Sequence, residues 1–195
     1  MRYGGMLKKM LLWVGLLVVA VELTGCVPYA EKYSGIQTQT STSQDVVLEA
    51  VPDSAKTVAV FTRNDSGEWS FPVKQRIIAE LKANGYTIST PQYAHYILQV
   101  AIKRVGYASI NTIQAVVGNG YNGSFETQTT NAKKYQRPVS VADVRLVEKA
   151  LYAPGGRAIN TFRIAVYTEE PGLVVSSVKL LLETNTADGI AALFR

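Results

Sequence analysis

Lys56-Thr-Val-Ala-Val-Phe-Thr-Arg63 sets the class of the fold, because its dense β-branched and apolar residues predict a strand. Apolar positions then recur at helical spacing from Val73 until Ala83-Asn84-Gly85, where a glycine suits the left-handed conformation that ends many helices. Residues 86–89 and the alternating residues 93–107 predict two more strands. This order of strand, helix, strand and strand indicates an α+β domain.

The C-terminal part predicts an antiparallel pair of strands. Residues 138–148 carry apolar side chains whose alternation changes phase midway, which is typical of a bulged or twisted strand. Residues 160–168 alternate regularly, and we expect them to pair antiparallel with that strand. Residues 173–182 fit either a strand or a helix, whereas 188–194 predict a terminal helix. The whole pattern predicts an α+β fold with a mostly antiparallel sheet and one or two packed helices.

Residues 109–136 interrupt this regular pattern. Gly118, Gly120 and Gly123 stand among asparagines here, and a polar stretch follows them. Glycine and asparagine at this density favour turns. We therefore predict a long loop between the central strand and the strand at 138–148.

The first 26 residues have the pattern of a secretion signal. Two lysines supply a positive start, and the apolar run at 10–21 is too short for a comfortable membrane span. The run leads into Leu23-Thr-Gly-Cys26, which resembles the lipobox of bacterial lipoproteins. That resemblance implies cleavage before Cys26 and two or three acyl chains, palmitate among them, for anchoring in a membrane.

The leader divides the chain into three parts: a signal peptide at 1–25, a lipidated, flexible tether at 26–45 and a globular domain at 46–195. The tether is polar, so it buries too little apolar surface to offset its ordering entropy. Cys26 is the single cysteine of the chain, so the domain has no disulfide. Val27 stands where an aspartate would favour retention at the inner membrane, and we therefore expect the outer membrane.

The residues needed for catalysis or metal binding are scarce. His95 is the only histidine, so a zinc site lacks ligands, and a serine–histidine–acid triad would depend on this one residue without a Gly-x-Ser-x-Gly motif beside it. The glycine-rich residues 118–123 lack the lysine and hydroxyl of a phosphate-binding loop. The net charge of +5 is mild and scattered, which disfavours nucleic acid as a partner. We expect no enzyme, no metal and no cofactor.

Tyrosines are the most promising contact residues, since the chain has 11 of them. Tyrosine buries a large area at low entropic cost and keeps a polar end, although core and strand positions account for many tyrosines as well. Loops on rigid scaffolds often carry binding. We therefore expect a partner contact at the predicted loop and the strand end before it, through Tyr107, Val116, Val117 and Tyr121.

Several segments together resemble the TraT surface-exclusion and complement-resistance lipoproteins. They are residues 48–61, the turn Asn64-Asp-Ser, the helix end Leu81-Lys-Ala-Asn-Gly-Tyr86 and Ala94-His-Tyr-Ile-Leu-Gln-Val100. Residues 138–195 follow the family in order, more loosely. The resemblance implies a lipid-anchored protein of the outer membrane that acts in surface exclusion during conjugation or in related protection of the envelope surface, and that self-associates.

One segment departs from that family. TraT proteins carry a long Gly/Ala-rich apolar segment after the central strand, where this chain has only residues 113–123. We therefore expect a reduced form of the family. The alternative is a periplasm-facing lipoprotein scaffold of a secretion, conjugation or envelope-assembly machine. In either case the expected partners are the membrane, through the lipid, and proteins of the cell envelope or the conjugation apparatus.

Overall fold

A six-stranded sheet forms the centre of the structure. The computed structural model describes residues 35–68, 70–124, 135–149 and 157–195, and from Ile36 onward they belong to one compact unit. The strands are β1 (Thr38–Thr42), β2 (Thr57–Asn64), β3 (Thr87–Ile88), β4 (Tyr96–Ala108), β5 (Arg137–Lys149) and β6 (Arg157–Thr168). The α-helices in these ranges are α1 (Val73–Ala83), α2 (Ile110–Gly118) and α3 (Val175–Ala191).

The sheet is mixed but mainly antiparallel. Its strand order is β1-β6-β5-β4-β2-β3. The pairs β1–β6, β6–β5 and β5–β4 are antiparallel, whereas β2 pairs parallel with both β4 and β3. The parallel pairs arise because α1 follows β2 and returns the chain to the same end of the sheet. The predicted α+β class is confirmed.

Helices α1 and α3 pack against each other and against the sheet. In α1, Val73, Ile77 and Leu81 recur at the four-residue spacing of one helix face, and all three are buried. The helix ends at Ala83, and Gly85 follows with a φ of +85°, the left-handed conformation that the sequence predicts there.

Helix α3 crosses one face of the sheet, the inner face, at close range. A Cβ added to Gly189 would lie 2.7 Å from Cδ1 of Ile164 on β6, so glycine permits this approach. Ser140 on β5 and Thr186 on α3 share a buried hydrogen bond of 2.5 Å. The inner face carries Ser140 and Ile164 with the buried residues in register with them: Tyr96, Leu98, Val100, Ile102, Ala142, Val144, Leu146, Phe162 and Val166.

The opposite face of the sheet, the outer face, is covered at one corner by α2. The buried cluster there comprises Ala108, Ile113, Val116, Val117, Val139, Val141, Ala165 and Tyr167. Ser109 begins the helix, since its Oγ accepts a hydrogen bond of 3.2 Å from the Thr112 N–H. The long loop predicted at 109–136 is therefore wrong at 110–118, where an apolar stripe meets the sheet. Residues 125–134 lie outside the described ranges.

Strand β5 is buried on both faces, which explains its change of phase. Val139 and Val141 face α2 on the outer face, whereas Val144 and Leu146 belong to the inner face. The sequence predicts a bulged or twisted strand here, and the irregularity between these two strands lies in β4, whose register against β5 skips Lys103. The apolar residues on one face of β5 therefore pack in the core beneath α2, and those on the other face pack in the core beneath α3.

Two further segments differ from the sequence-based expectation. The predicted tether contains β1, which pairs antiparallel with β6 over Thr38–Thr42, although we expected the folded domain to begin at residue 46. An edge strand is held mainly by its backbone hydrogen bonds and needs few apolar side chains. The polar residues of β1 therefore do not show the apolar pattern from which a strand is predicted. The ambiguous residues 173–182 belong largely to α3, which continues to Ala191.

The predicted signal peptide and the lipidation site Cys26 lie outside the described residues. The same holds for the start of the tether, residues 26–34. Within the described ranges, each of the helices is too short or too polar to cross a bilayer.

Candidate functional site

Three rows of side chains cross the outer face beside α2, because neighbouring strands hold them in register. The first row is apolar and consists of Ala59, Ile97, Val147 and Ile159. The second row is mixed and consists of Phe61, Gln99, Arg145 and Thr161. The third row consists of Arg63, Ala101, Asp143 and Arg163. Phe61 and Ile159 are 45% and 52% exposed, so part of this face is open to solvent.

Asp143 and Arg163 form a buried ion pair at the end of the third row. Nε and Nη2 of Arg163 donate to Oδ1 and Oδ2 of Asp143 at 2.6 and 2.9 Å, and each side chain is 1% exposed. Two parallel charge-assisted hydrogen bonds match the fork of the guanidinium to the carboxylate. Loss of either partner would leave a buried, unpaired charge, so each residue depends on the other.

The same pair fastens the end of α2 and the turn after it to the sheet. Nη1 of Arg163 donates to the carbonyl oxygens of Val116 and Gly123 at 3.2 and 3.1 Å. Oδ2 of Asp143 accepts a hydrogen bond of 3.2 Å from the Asn122 N–H. Carbonyls at a helix C-terminus carry partial negative charge, which favours a guanidinium beside them. The turn after α2 is thereby held against the outer face.

A groove, the outer groove, lies between this turn and β2. It has a volume of about 270 Å³ and is lined by Phe61, Thr62, Arg63, Gln99, Val100, Ala101, Tyr121 and Asp143. Ala101 contributes only a methyl group between the longer side chains of Arg63 and Asp143 in its row, which leaves the space. Tyr121 belongs to the turn that the buried ion pair holds, so the groove has a fixed wall on the side of α2.

The rim of the outer groove near β2 is basic. Arg63 and Lys103 both contact the carboxylate of Asp65, at 2.8 and 3.1 Å. The hydrogen bond from Lys103, reinforced by Arg63, holds the pKa of Asp65 below its ordinary value. Asp65 is therefore ionised at neutral pH, and its single negative charge is shared between Arg63 and Lys103.

Arg145 supplies a further cation in the second row. Its Nη1 donates to the uncharged Oε1 of Gln99 at 3.1 Å. The nearby carboxylate of Asp143 is already neutralised by Arg163. Among the described residues, the charges around the outer groove therefore leave a positive excess.

The four contact residues predicted from sequence do not form one surface. Val116 and Val117 are 3% and 5% exposed and belong to the core beneath α2, so neither is available to a partner in this structure. Tyr121 lines the outer groove. Tyr107 lies near the start of α3, where its Oη accepts a hydrogen bond of 3.1 Å from the Val175 N–H. Of the four, Tyr121 alone lies at the groove.

Sequence reasoning misses Phe61 and Arg63 as groove residues, and it misses Arg145 beside the groove. Phe61 and Arg63 are two positions apart in a predicted strand, which places them on one face of it. That signal does not say which strand lies beside them. Arg145 joins them only because β4 pairs with both β2 and β5.

A second polar cluster surrounds His95 at one end of β4. The residue is 7% exposed, and its Nε2, without a hydrogen bond among the described residues, lies 3.4 Å from Oε1 of Glu148. Tyr96 Oη donates to the same oxygen at 3.5 Å, and burial, followed by the Glu148 charge, raises the pKa of Tyr96. The rings of Tyr86 and Phe194 pack edge-on against Tyr96. In the described ranges, no group of three or more histidine, cysteine, aspartate or glutamate side chains could hold a metal ion.

The part of the chain that builds the outer groove matches a known protein family. The family described as enterobacterial TraT complement resistance protein matches residues 35–151, more than half of the chain. The chain belongs to the TraT family. The match includes β1 to β5 with α1 and α2, and therefore every residue that lines the outer groove. The resemblance to TraT proteins is confirmed.

One relative and two solved structures show how far these similarities extend. A TraT complement resistance protein of Escherichia coli is 28% identical over 119 residues, 60% of this chain and 48% of that protein, so this chain spans about half the length of its curated relative. A minor lipoprotein of Acinetobacter baumannii is 14% identical with a TM-score of 0.36 and covers 71% of this chain and 89% of its own. A DUF4136 family protein of Bacteroides thetaiotaomicron is 13% identical with a TM-score of 0.40 and covers 82% and 97%. TM-scores this low say nothing about function.

Proposed function

We propose that this TraT-family chain is a lipid-anchored protein of the outer membrane that acts by contact, in surface exclusion between conjugating cells or in complement resistance. The name of its Escherichia coli relative, a complement resistance protein, supports the second role. The mechanism is steric or competitive: the domain occupies a surface that another protein of the envelope or of a mating cell uses. Catalysis has no part in it.

The outer groove is the observation that carries this proposal. It places exposed apolar surface at Phe61 beside basic side chains, on a face built from rigid strands. Aromatic and arginine side chains are enriched at the centres of protein interfaces, because they bury area and donate hydrogen bonds at low entropic cost. A rigid, preformed surface of this kind favours recognition of a partner.

The leader supports the anchor and the location. Leu23-Thr-Gly-Cys26 has the residue types of a lipobox, and Val27 follows it. Two or three acyl chains would hold the domain stably, since each buried methylene contributes about 0.8 kcal/mol. The polar residues between Cys26 and β1 would then separate the folded domain from the bilayer.

Protease accessibility on cells tests the location and the anchor together. We expect added protease to digest the protein on intact cells, and the Cys26→Ser variant to lose its membrane attachment. Protection on intact cells, followed by digestion after the outer membrane is permeabilised, would instead favour the periplasmic scaffold.

Mating and serum-survival assays test the role. Recipient cells that express the full chain should accept fewer conjugative plasmids or survive complement better than cells without it. Phe61→Ser should weaken the effect, because it removes apolar surface at the outer groove. Val47→Ser is the matched control, since Val47 is 89% exposed and does not line the groove. Normal mating together with normal complement killing would contradict the proposal.

A further inference from the structure

The described charged side chains around the outer groove carry a net positive charge. Among the described residues, the cations Arg63, Lys103 and Arg145 lie in or beside the groove, and the carboxylate of Asp65 contacts the first two of them. Arg145 has a neutral partner in Gln99, which holds the guanidinium in place without neutralising it. An anionic group beside Gln99 at the edge of the groove would therefore meet a cation that is already oriented.

The acidic residue that lines the groove does not oppose such a ligand. Asp143 accepts two hydrogen bonds from Arg163 and one from the Asn122 N–H. Its charge is matched by a guanidinium that is equally buried. Arg63 lines the groove and Arg145 lies beside it, opposite Gln99 on the neighbouring strand. Among the described residues, the only carboxylate in the lining is the one that Arg163 neutralises.

Apolar surface lies in the same cross-strand row as Arg145. Phe61 on β2 is separated from it by Gln99 on β4. Paired strands are about 4.8 Å apart, so Phe61 and Arg145 are roughly 10 Å apart. An extended chain advances about 3.3 Å per residue, so about three residues of a peptide would span this distance.

We propose that the outer groove and the adjoining Arg145 bind an extended acidic segment of a partner protein, with a carboxylate on Arg145 and an apolar side chain against Phe61. This rests on the proposed function in one respect, that the domain acts by protein contact. The two anchors are complementary to one peptide in charge, polarity and spacing. Charge complementarity of this kind sets specificity and association rate, while the apolar contact supplies affinity.

A lipid headgroup fits this surface less well than a peptide does. Its phosphate would satisfy Arg145, but it would leave the exposed ring of Phe61 in water. A peptide that carries both a carboxylate and an apolar side chain covers both. Anionic vesicles are therefore the competing ligand in the test.

The experiment measures binding of a fluorescent synthetic peptide by the full chain in detergent. The peptide carries aspartate and glutamate about three residues from a leucine, and a lysine-substituted version is the ligand control. Arg145→Glu should weaken binding by about tenfold or more, because it replaces attraction by repulsion. Lys74→Glu is the matched charge control, since Lys74 is exposed on α1, a helix of the inner face. Arg145→Gln, which reverses no charge, is the second variant if the first fails to fold.

Three results would overturn the inference. They are an acidic peptide that does not bind the unsubstituted chain, binding that Arg145→Glu and Lys74→Glu change equally, and Arg145-dependent binding of phosphatidylglycerol vesicles without binding of the peptide. Weaker peptide binding by Phe61→Ser, with Val47→Ser unchanged, would support it.

Failure of this inference is distinguishable from failure of the proposed function. If the unsubstituted chain reduces mating or complement killing but does not bind the peptide, the function stands and the acidic partner is wrong. If it binds the peptide through Arg145 but changes neither mating nor complement killing, the groove assignment stands and the role is wrong.

Discussion

The guanidinium of Arg163 on β6 donates two hydrogen bonds of 2.6 and 2.9 Å to the carboxylate of Asp143 on β5, and both side chains are 1% exposed. The same guanidinium holds carbonyl oxygens at the end of α2 and in the turn that follows. That turn carries Tyr121, a wall of the outer groove. A buried pair that stabilises the sheet therefore also positions the candidate contact surface.

Removal of Asp143 should destabilise the protein strongly. Asp143→Ala leaves the Arg163 guanidinium buried without its counter-charge, and breaking a buried pair in this way costs about 3–5 kcal/mol. Urea denaturation followed by circular dichroism measures the free energy of unfolding. Asp53→Ala is the control, because Asp53 contacts Lys56 in an exposed pair and should leave that free energy nearly unchanged.

Replacement of both partners distinguishes the energetic cost of an unpaired buried charge from the cost of lost contacts. In Asp143→Leu/Arg163→Met neither charge of this pair remains, so the double variant should be more stable than Asp143→Ala alone. An equal loss in the two variants would show that losing the hydrogen bonds from Arg163 to Val116 and Gly123 costs as much as removing the unpaired charge gains.

The milder variant Asp143→Asn should loosen the turn after α2 without unfolding the domain. The amide keeps the shape of the carboxylate, but its NH2 group cannot accept a hydrogen bond. Part of the contact with Arg163 and with the Asn122 N–H is therefore lost, and the remaining part no longer has a charged acceptor. Hydrogen exchange measured by mass spectrometry should show faster exchange in the turn that carries Tyr121 and little change in β4. Unchanged exchange in that turn would mean that other contacts hold it.

Elements with a strong local pattern could be predicted from sequence, and elements that depend on tertiary partners could not. The strand at 57–64 and the helix at 73–83 have unbroken periodicity and a clear stop signal, and both are present. Helix α2 carries a serine cap and the spacing Ile113, Val116, Val117, but the glycines and asparagines that follow dominate the pattern and favour a loop. Short helices are decided by packing, and here the packing partner is the outer face.

The candidate site depends on register, which local patterns do not contain. Asp143 and Arg163 are 20 positions apart, and their pairing follows from the alignment of β5 with β6. The same alignment brings Arg145 into line with Phe61 through β4. Tyr121 could be proposed from its residue type and its place in a turn. The basic side chains around the groove could be grouped only once the order of the strands in the sheet was known.

Gly189 should be intolerant of a side chain. In Gly189→Ala the new Cβ would lie 2.7 Å from Cδ1 of Ile164, so either the buried Ile164 side chain must change its rotamer or α3 must shift away from the sheet. Overpacking of this kind costs about 1–3 kcal/mol, which exceeds the gain of about 1 kcal/mol in helix propensity. Urea denaturation should therefore show a net loss of stability.

Two variants check that the close contact causes this loss. Gly118→Ala lies at the end of α2 with no atom within 4 Å of its added Cβ, so it should leave stability unchanged or raised. Gly189→Ala/Ile164→Val removes the atom that the new methyl group meets, and it should recover part of the loss. Equal losses in Gly189→Ala and Gly118→Ala would rule out the contact as the cause.

Stability should fall at alkaline pH, and Tyr96 should account for much of the fall. Burial, followed by the charge of Glu148, raises the pKa of Tyr96 in the folded protein, and burial raises that of Tyr86 as well. Above about pH 10 the unfolded chain releases these phenolic protons first, so the unfolded state binds fewer protons than the folded state and the free energy of unfolding decreases as pH rises. The contribution of these tyrosines to stability is complete below their pKa in the unfolded chain and is lost as the pH approaches their pKa in the folded protein.

Tyr96→Phe should therefore flatten the decline measured by urea denaturation between about pH 8 and about pH 11, whereas Tyr93→Phe should not, because Tyr93 is 74% exposed. Identical declines in the two variants would show that the buried phenol of Tyr96 does not govern alkaline unfolding.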